Sequence, residues 1–189
     1  MNYVIGKSFV FNSMIGIQDM ATFVSNNSLA LAKYSLLTNM LIYFLMNGAQ
    51  IFETLVFVPR WATGHVTNLQ ILNTEIKSAD LKYFWIMFHS IHEIIFLVSL
   101  LFCYQIEGIG HWLVVLFILH MAVRVWTVVY FAGKIIRFQF LANTDGFHSL
   151  EGKNEIKTWV ILNYFRVSIY IGISILMIPL VIKILKVNG

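Results

Sequence analysis

Four stretches of this chain are apolar for about twenty residues each, the length a helix needs to cross a hydrocarbon core of roughly 30 Å. They run over about 35–59, 83–104, 112–131 and 159–182. Such spans dictate a membrane protein, and the composition agrees. Only 12% of the 189 residues are charged while 59% are hydrophobic, and soluble domains carry about a quarter charged residues. Disorder, collagen-like repeats and disulfide scaffolds are excluded by 2 Pro, 11 Gly and 1 Cys. Aromatic residues mark the span ends, among them Trp61, Tyr83, Trp85, Tyr104, Trp112, Tyr130 and Trp159, as expected where amphipathic rings sit at headgroup level.

The sequence therefore predicts an all-α fold, a four-transmembrane-helix bundle over residues 35–189, preceded by an N-terminal segment over 1–34. In that segment Lys7, Asn12, Gln18, Asp19 and Asn26-Asn27-Ser28 interrupt the apolar pattern. It reads as an interfacial amphipathic helix around Val4 to Val24 rather than a signal peptide. The short 105–111 connection makes spans two and three antiparallel neighbours. In loop 132–158, Ile135-Ile136-Arg137-Phe138 reads as an interfacial turn and Asn143-Thr144-Asp145-Gly146 as a turn signal.

Four spans place both termini on one side and the long loops 60–82 and 132–158 on the other, here called the loop face. The net charge of +4 comes mostly from loop residues, which suits a membrane surface and not nucleic acid. Seven loop-side cations (Arg60, Lys77, Lys82, Lys134, Arg137, Lys153, Lys157) face four on the termini side (Lys7, Lys33, Lys183, Lys186). The expectation is a bacterial inner membrane protein with cytoplasmic long loops, its termini outside and membrane lipids as its surroundings.

Glu53, His89, His92, Glu93, His120, Arg124, Asn163 and Arg166 all fall inside apolar spans. A charge at the bilayer centre costs about 2.5–3.5 kcal/mol, so the two Glu and two Arg would cost roughly 10 kcal/mol if each faced lipid alone. Counted down from the loop face at about 1.5 Å per residue, Glu53, His89, Arg124 and Arg166 lie roughly 10 Å deep. His92, Glu93 and His120 lie about 13–17 Å deep and Asn163 about 6 Å. Periodicity agrees: His89, His92 and Glu93 share one face, His120 and Arg124 are an i, i+4 pair, and Asn163, Arg166 and Tyr170 follow i, i+3, i+7. Span one adds Asn39, Tyr43, Gln50, Glu53 and Thr54 on one stripe. All four helices converge on one polar layer, expected to open toward the loop face.

Three kinds of chemistry fit that layer. A structural one pairs Glu93 with Arg124 and Glu53 with Arg166, the histidines filling hydrogen bonds between helices. A metal site would use His89, His92, Glu93 and His120, with Glu53 as a further ligand, for non-haem iron, zinc or copper, though no span holds the Glu-x-x-His of di-iron bundles. A haem would take His92 and His120 as axial ligands in an electron-transfer protein. A cofactor-free pocket would use His92 or Glu93 as base and Arg124 and Arg166 as oxyanion partners. Glu53, Asn163, Trp126 and Tyr170 would contact a lipophilic small molecule there, and Phe88, Phe96, Tyr130, Tyr164 and Phe165 would line its slot. A small-molecule carrier or a subunit of a membrane complex is the non-enzymatic alternative.

Asn47-Gly48-Ala49-Gln50-Ile51-Phe52-Glu53, running into Val58-Pro59, resembles an early helix of the anthrone-oxygenase-like family of small four-helix membrane proteins. Trp159-x-x-x-Asn163-x-x-Arg166, preceded by a loop with Asn143, resembles the start of that family's last helix. The resemblance covers residues 35 to 185 in architecture. It implies an oxygenase-type oxidoreductase, since fungal members oxidise anthrones to anthraquinones with dioxygen and without an evident cofactor. It implies Asn163, Arg166, Glu53 and Pro59 as site residues, and it does not extend to His89, His92, Glu93 or His120.

Overall fold

With no water at hydrocarbon depth to satisfy backbone groups, a chain of this composition must close its hydrogen bonds within helices. The computed structural model describes residues 2–62, 69–76, 81–142 and 150–187, with the side chains of 2–17, 21, 75–76, 81–82 and 150–151 outside the description. Among the described residues all regular structure is helical. Four helices are long and apolar enough to cross a membrane: Gln18–Trp61, Tyr83–Cys103, Gly110–Leu141 and Gly152–Leu185. The chain is an integral membrane protein built as an all-α bundle.

The observed helices outrun the apolar stretches that announce them. The first runs unbroken from Asn2 through Phe52, so residues 18–34 continue the axis of span one with no break near residue 34. Most of the amphipathic pattern read over 4–24 lies on side chains outside the described residues. Span three extends helically to Leu141 and span four begins at Leu150, so residues 133–141 and 150–158 of the expected loop 132–158 are helical and Ile135–Phe138 is helix rather than turn. The 143–146 turn signal lies outside the described residues. Polar residues do not stop a helix once it has left the bilayer, because water accepts them on every face. An ion-pair cluster clamps the two extensions: Lys134 Nζ donates to Glu155 Oε1, and Arg137 Nη2 lies 3.4 Å from Glu155 Oε2.

Within the spans, two turns are wider than α-helix, and the connecting segment holds a third at Leu72–Ile76. Span one is π-helical over Glu53–Phe57 and span three over Thr127–Ala132. Both begin at the depth of the polar layer, and π-turns are frequent at functional sites.

The apolar interior forms two clusters along the bundle axis. Toward the termini, Leu36, Phe96, Leu113, Ile173, Met177 and Ile184 are fully or almost fully buried. Toward the loop face, Trp61, Phe131, Phe138 and Trp159 stack with centroids 5.1–6.5 Å apart, and Leu69 and Leu72 of the connecting segment join them. That segment is tied down by Asn73 Nδ2 donating to the Gln139 carbonyl (3.0 Å) and Gln139 Nε2 donating to the Leu72 carbonyl (3.3 Å).

The turn between spans two and three depends on close backbone approach. A Cβ on Gly110 would fall 2.0 Å from the Tyr104 carbonyl oxygen, and Gly108 has φ +68°. Gly110→Ala is therefore expected to destabilise the bundle by about 1–3 kcal/mol, the usual cost of overpacking. A lowered thermal midpoint in mild detergent checks it, with Gly133→Ala, whose Cβ would meet nothing, as the neutral control.

Candidate functional site

The polar layer sits between the two apolar clusters and has three levels. Nearest the loop face, Asn163 links spans one and four: its Nδ2 donates to Thr54 Oγ1 (3.1 Å), and its Oδ1 accepts from Arg166 Nη2 (2.8 Å). Arg166 lies with Cζ 4.5 Å from the centroid of Phe131, a cation–π contact. Part-buried Glu53 is in electrostatic range of Arg166 and close to the Trp85 side chain. Trp85 in turn stacks on His89 at 5.3 Å. Among the described residues no ion pair joins Glu53 to Arg166. Their equal depth predicted one, but the guanidinium is taken by its own helix's Asn163, three residues back, and by the face of Phe131.

At the middle level Arg124 Nε donates to Glu93 Oε1 at 2.8 Å, the pair expected from the sequence. Arg124 is also in electrostatic range of His89, His92 and His120.

Deepest is a knot of rings drawn from all four spans. Tyr43 Oη is hydrogen-bonded to His120 Nδ1 at 2.9 Å. His92 meets Tyr43 edge-on at 4.6 Å and His120 at 5.1 Å. Phe96 and Tyr170 pack against His120 at 5.6 and 5.8 Å. Linking spans one and four, Asn47 Nδ2 donates to Ser174 Oγ (2.8 Å) and to the Tyr170 carbonyl (3.2 Å).

The layer leaves hydrogen-bonding capacity unused. Both ring nitrogens of His92, Nε2 of His120, Nδ1 of His89, Nε of Arg166, Oε1 of Gln50 and the Asn39 amide are buried without a partner. Each such group costs about 1–3 kcal/mol if left so. Native interiors rarely tolerate several together, so waters or a ligand complete them.

Of the residues predicted for the site, the structure brings together His89, His92, Glu93, His120, Arg124, Arg166, Asn163, Glu53 and Tyr170. Trp126 stands beside the layer, against Phe131 and Phe165. Tyr164 and Phe165 are exposed on the outer face and do not line a slot: with Asn163 and Arg166 turned inward, the two positions between them are rotated away. Trp85, expected only as a span-end aromatic, Asn47, which opens the segment resembling the anthrone-oxygenase-like early helix, and Ser174 also belong to the layer. Asn47 and Ser174 each stand four residues after a layer tyrosine, a spacing that does point to them.

The metal and haem arrangements do not form. Among the described residues no three His, Cys, Asp or Glu side chains gather to hold a metal ion. His89 is stacked on Trp85, Glu93 is turned to Arg124, and His92 and His120 meet ring against ring. With Tyr43 and Phe96 against both imidazoles, no gap of macrocycle width separates them for axial ligation.

Fold and site together define a helical-bundle integral membrane protein with an internal His/Arg/Glu layer at hydrocarbon depth. No family model, curated protein or solved structure matches the chain.

Proposed function

We propose that the chain is a cofactor-free, oxygenase-type oxidoreductase acting on a lipophilic aromatic with an acidic proton. The observation that carries this reading is the gathering of two guanidinium groups and three histidines with unpartnered ring nitrogens in one layer. A neutral imidazole has one lone-pair nitrogen that can take a proton, and neither ring nitrogen of His92 is engaged by another group. Arg124 and Arg166 then hold the oxyanion left by deprotonation, in a medium where such electrostatic contacts are strong. The electron-rich carbon reacts with dioxygen. In an anthrone the ring methylene becomes a carbonyl, and the other oxygen atom leaves as water. The resemblance of Asn163, Arg166 and Glu53 to the anthrone-oxygenase-like pattern supports the choice of substrate class.

The test is oxygen uptake and anthraquinone formation from anthrone in proteoliposomes, against protein-free vesicles. A protein-dependent rate is expected, falling about 100-fold in His92→Phe, as loss of a general base does, and by a similar factor in Arg166→Met. No rate above the protein-free vesicles, or full rates in both variants, overturns the reading.

The setting we propose is a bacterial inner membrane with the long loops in the cytoplasm, on the seven-to-four distribution of cations. The native thiol, Cys103, is buried, so an introduced cysteine reports cleanly. Asn154→Cys, on the exposed loop-side extension, is expected to resist an impermeant thiol reagent in intact cells and to react in inverted vesicles. The opposite pattern inverts the topology.

A further inference from the structure

The polar layer is sealed along the bundle axis in both directions. Above it, the Trp61, Phe131, Phe138 and Trp159 side chains are at most 5% exposed, and they lie one to four helical turns nearer the loop face than the layer. Below it, Leu36, Leu113 and Met177 are fully buried. The expected opening toward the loop face is therefore closed. Exposure appears elsewhere, at the middle level: the side chains of Glu93 and Arg124 are 32% and 17% exposed. Both stand mid-span on the outer surface of the bundle, at hydrocarbon depth. Spans two and three also pack more sparsely on each other than span one packs on spans two and four. Leu97, one turn from Glu93, and Val128, one turn from Arg124, are exposed beside the pair.

An ion pair open to hydrocarbon is incomplete. Glu93 Oε1 is engaged by Arg124, while Oε2 accepts no hydrogen bond from any described residue. A carboxylate oxygen in that position calls for a donor that arrives from the lipid. Such a donor must be carried on an apolar body, since nothing else dissolves at that depth. Behind the pair lie the unpartnered nitrogens of His89 and His92, so a donor that enters at the seam meets further acceptors inward.

We propose that the Glu93–Arg124 seam is a lateral portal, through which a membrane-dissolved phenolic lipophile passes from the bilayer into the polar layer, its hydroxyl donating to Glu93 Oε2. The proposal rests on the reading of the layer as a substrate site and names the route and the recognised group. It also explains an ion pair placed at the rim of the layer rather than at its centre: the pair is the polar threshold the ligand crosses.

The experiment uses the full chain in phosphatidylcholine vesicles and two probes, a long-chain alkylphenol bearing a diazirine on its chain and the methyl ether of the same molecule. After irradiation, labelled peptides are mapped by mass spectrometry. The phenol is expected to label the Glu93–Leu97 and Arg124–Val128 stretches about tenfold more than the ether does, the ratio one hydrogen bond supports. In Glu93→Leu/Arg124→Leu, which keeps the packing and removes the threshold, that preference is expected to vanish. Equal labelling by both probes over all lipid-facing helices of the native chain overturns the portal. So does efficient disulfide dimerisation of Leu97→Cys at high lipid-to-protein ratio, which would assign the seam to a second copy. Labelling needs no turnover, so seam-specific labelling without anthrone oxidation keeps the portal and sinks the oxidoreductase. Oxidation without seam preference does the reverse.

Discussion

Replacing Glu93 alone by leucine is expected to destabilise the bundle by about 3–5 kcal/mol, while the double replacement Glu93→Leu/Arg124→Leu is expected to return close to native stability. The single change strands the Arg124 guanidinium at hydrocarbon depth, where its only ion-pair partner among the described residues is the Glu93 carboxylate 2.8 Å away. Salt cannot screen a charge that faces lipid. The double change removes both charges and supplies apolar volume to a seam already flanked by Leu97 and Val128. Unfolding of the three proteins in bicelles decides the matter. A double variant as unstable as the single one would show that the pair is interhelical glue, and the functional reading of the layer would lose its rim. A stable double variant without anthrone oxidation would separate function from folding at this site.

The second large effect concerns the loop-side cap. Trp159→Ala is expected to cost about 3–5 kcal/mol, as truncation of a buried tryptophan does, because the indole is 5% exposed and touches three other rings. Trp112→Ala is the contrasting case: its ring is 58% exposed at the opposite end of the bundle, and a change there should stay within about 0.5 kcal/mol. Thermal midpoints in mild detergent check both. Equal effects would mean that Trp159 acts as a membrane-interface anchor, the role its position at a span end first implied, and not as a buried cap.

How much of this was readable follows from what each signal measures. Hydropathy located the four spans because charged residues are scarce in lipid, and it misplaced their ends because water tolerates a polar helix. Hence Lys134, Arg137 and Glu155, taken as loop residues, are helical. Helix period and depth placed Glu93 and Arg124 opposite each other, and a short turn between their spans made them neighbours. The same reasoning paired Glu53 with Arg166 and failed, since depth says nothing of which nearer group a long guanidinium finds. The Tyr43–His120 bond was hidden for a different reason. Tyr43 stood on a polar stripe, but periodicity within one helix does not reveal which neighbour that stripe faces. The opening of the layer was misjudged because Trp61 and Trp159, read as headgroup anchors, turn inward and close it.

The widened turns at Glu53–Phe57 and Thr127–Ala132 bear on how the two ends of the molecule can vary. A π-turn amounts to one residue inserted into an α-helix, and it resets the rotational phase of everything beyond it. In spans one and three the cap residues Trp61 and Phe138 therefore keep their own phase, independent of Tyr43, His120 and Arg124 deeper down. Repacking of the aromatic cap, or a one-residue change of length beyond those turns, can thus be absorbed at the turn without rotating the histidines and arginines out of register.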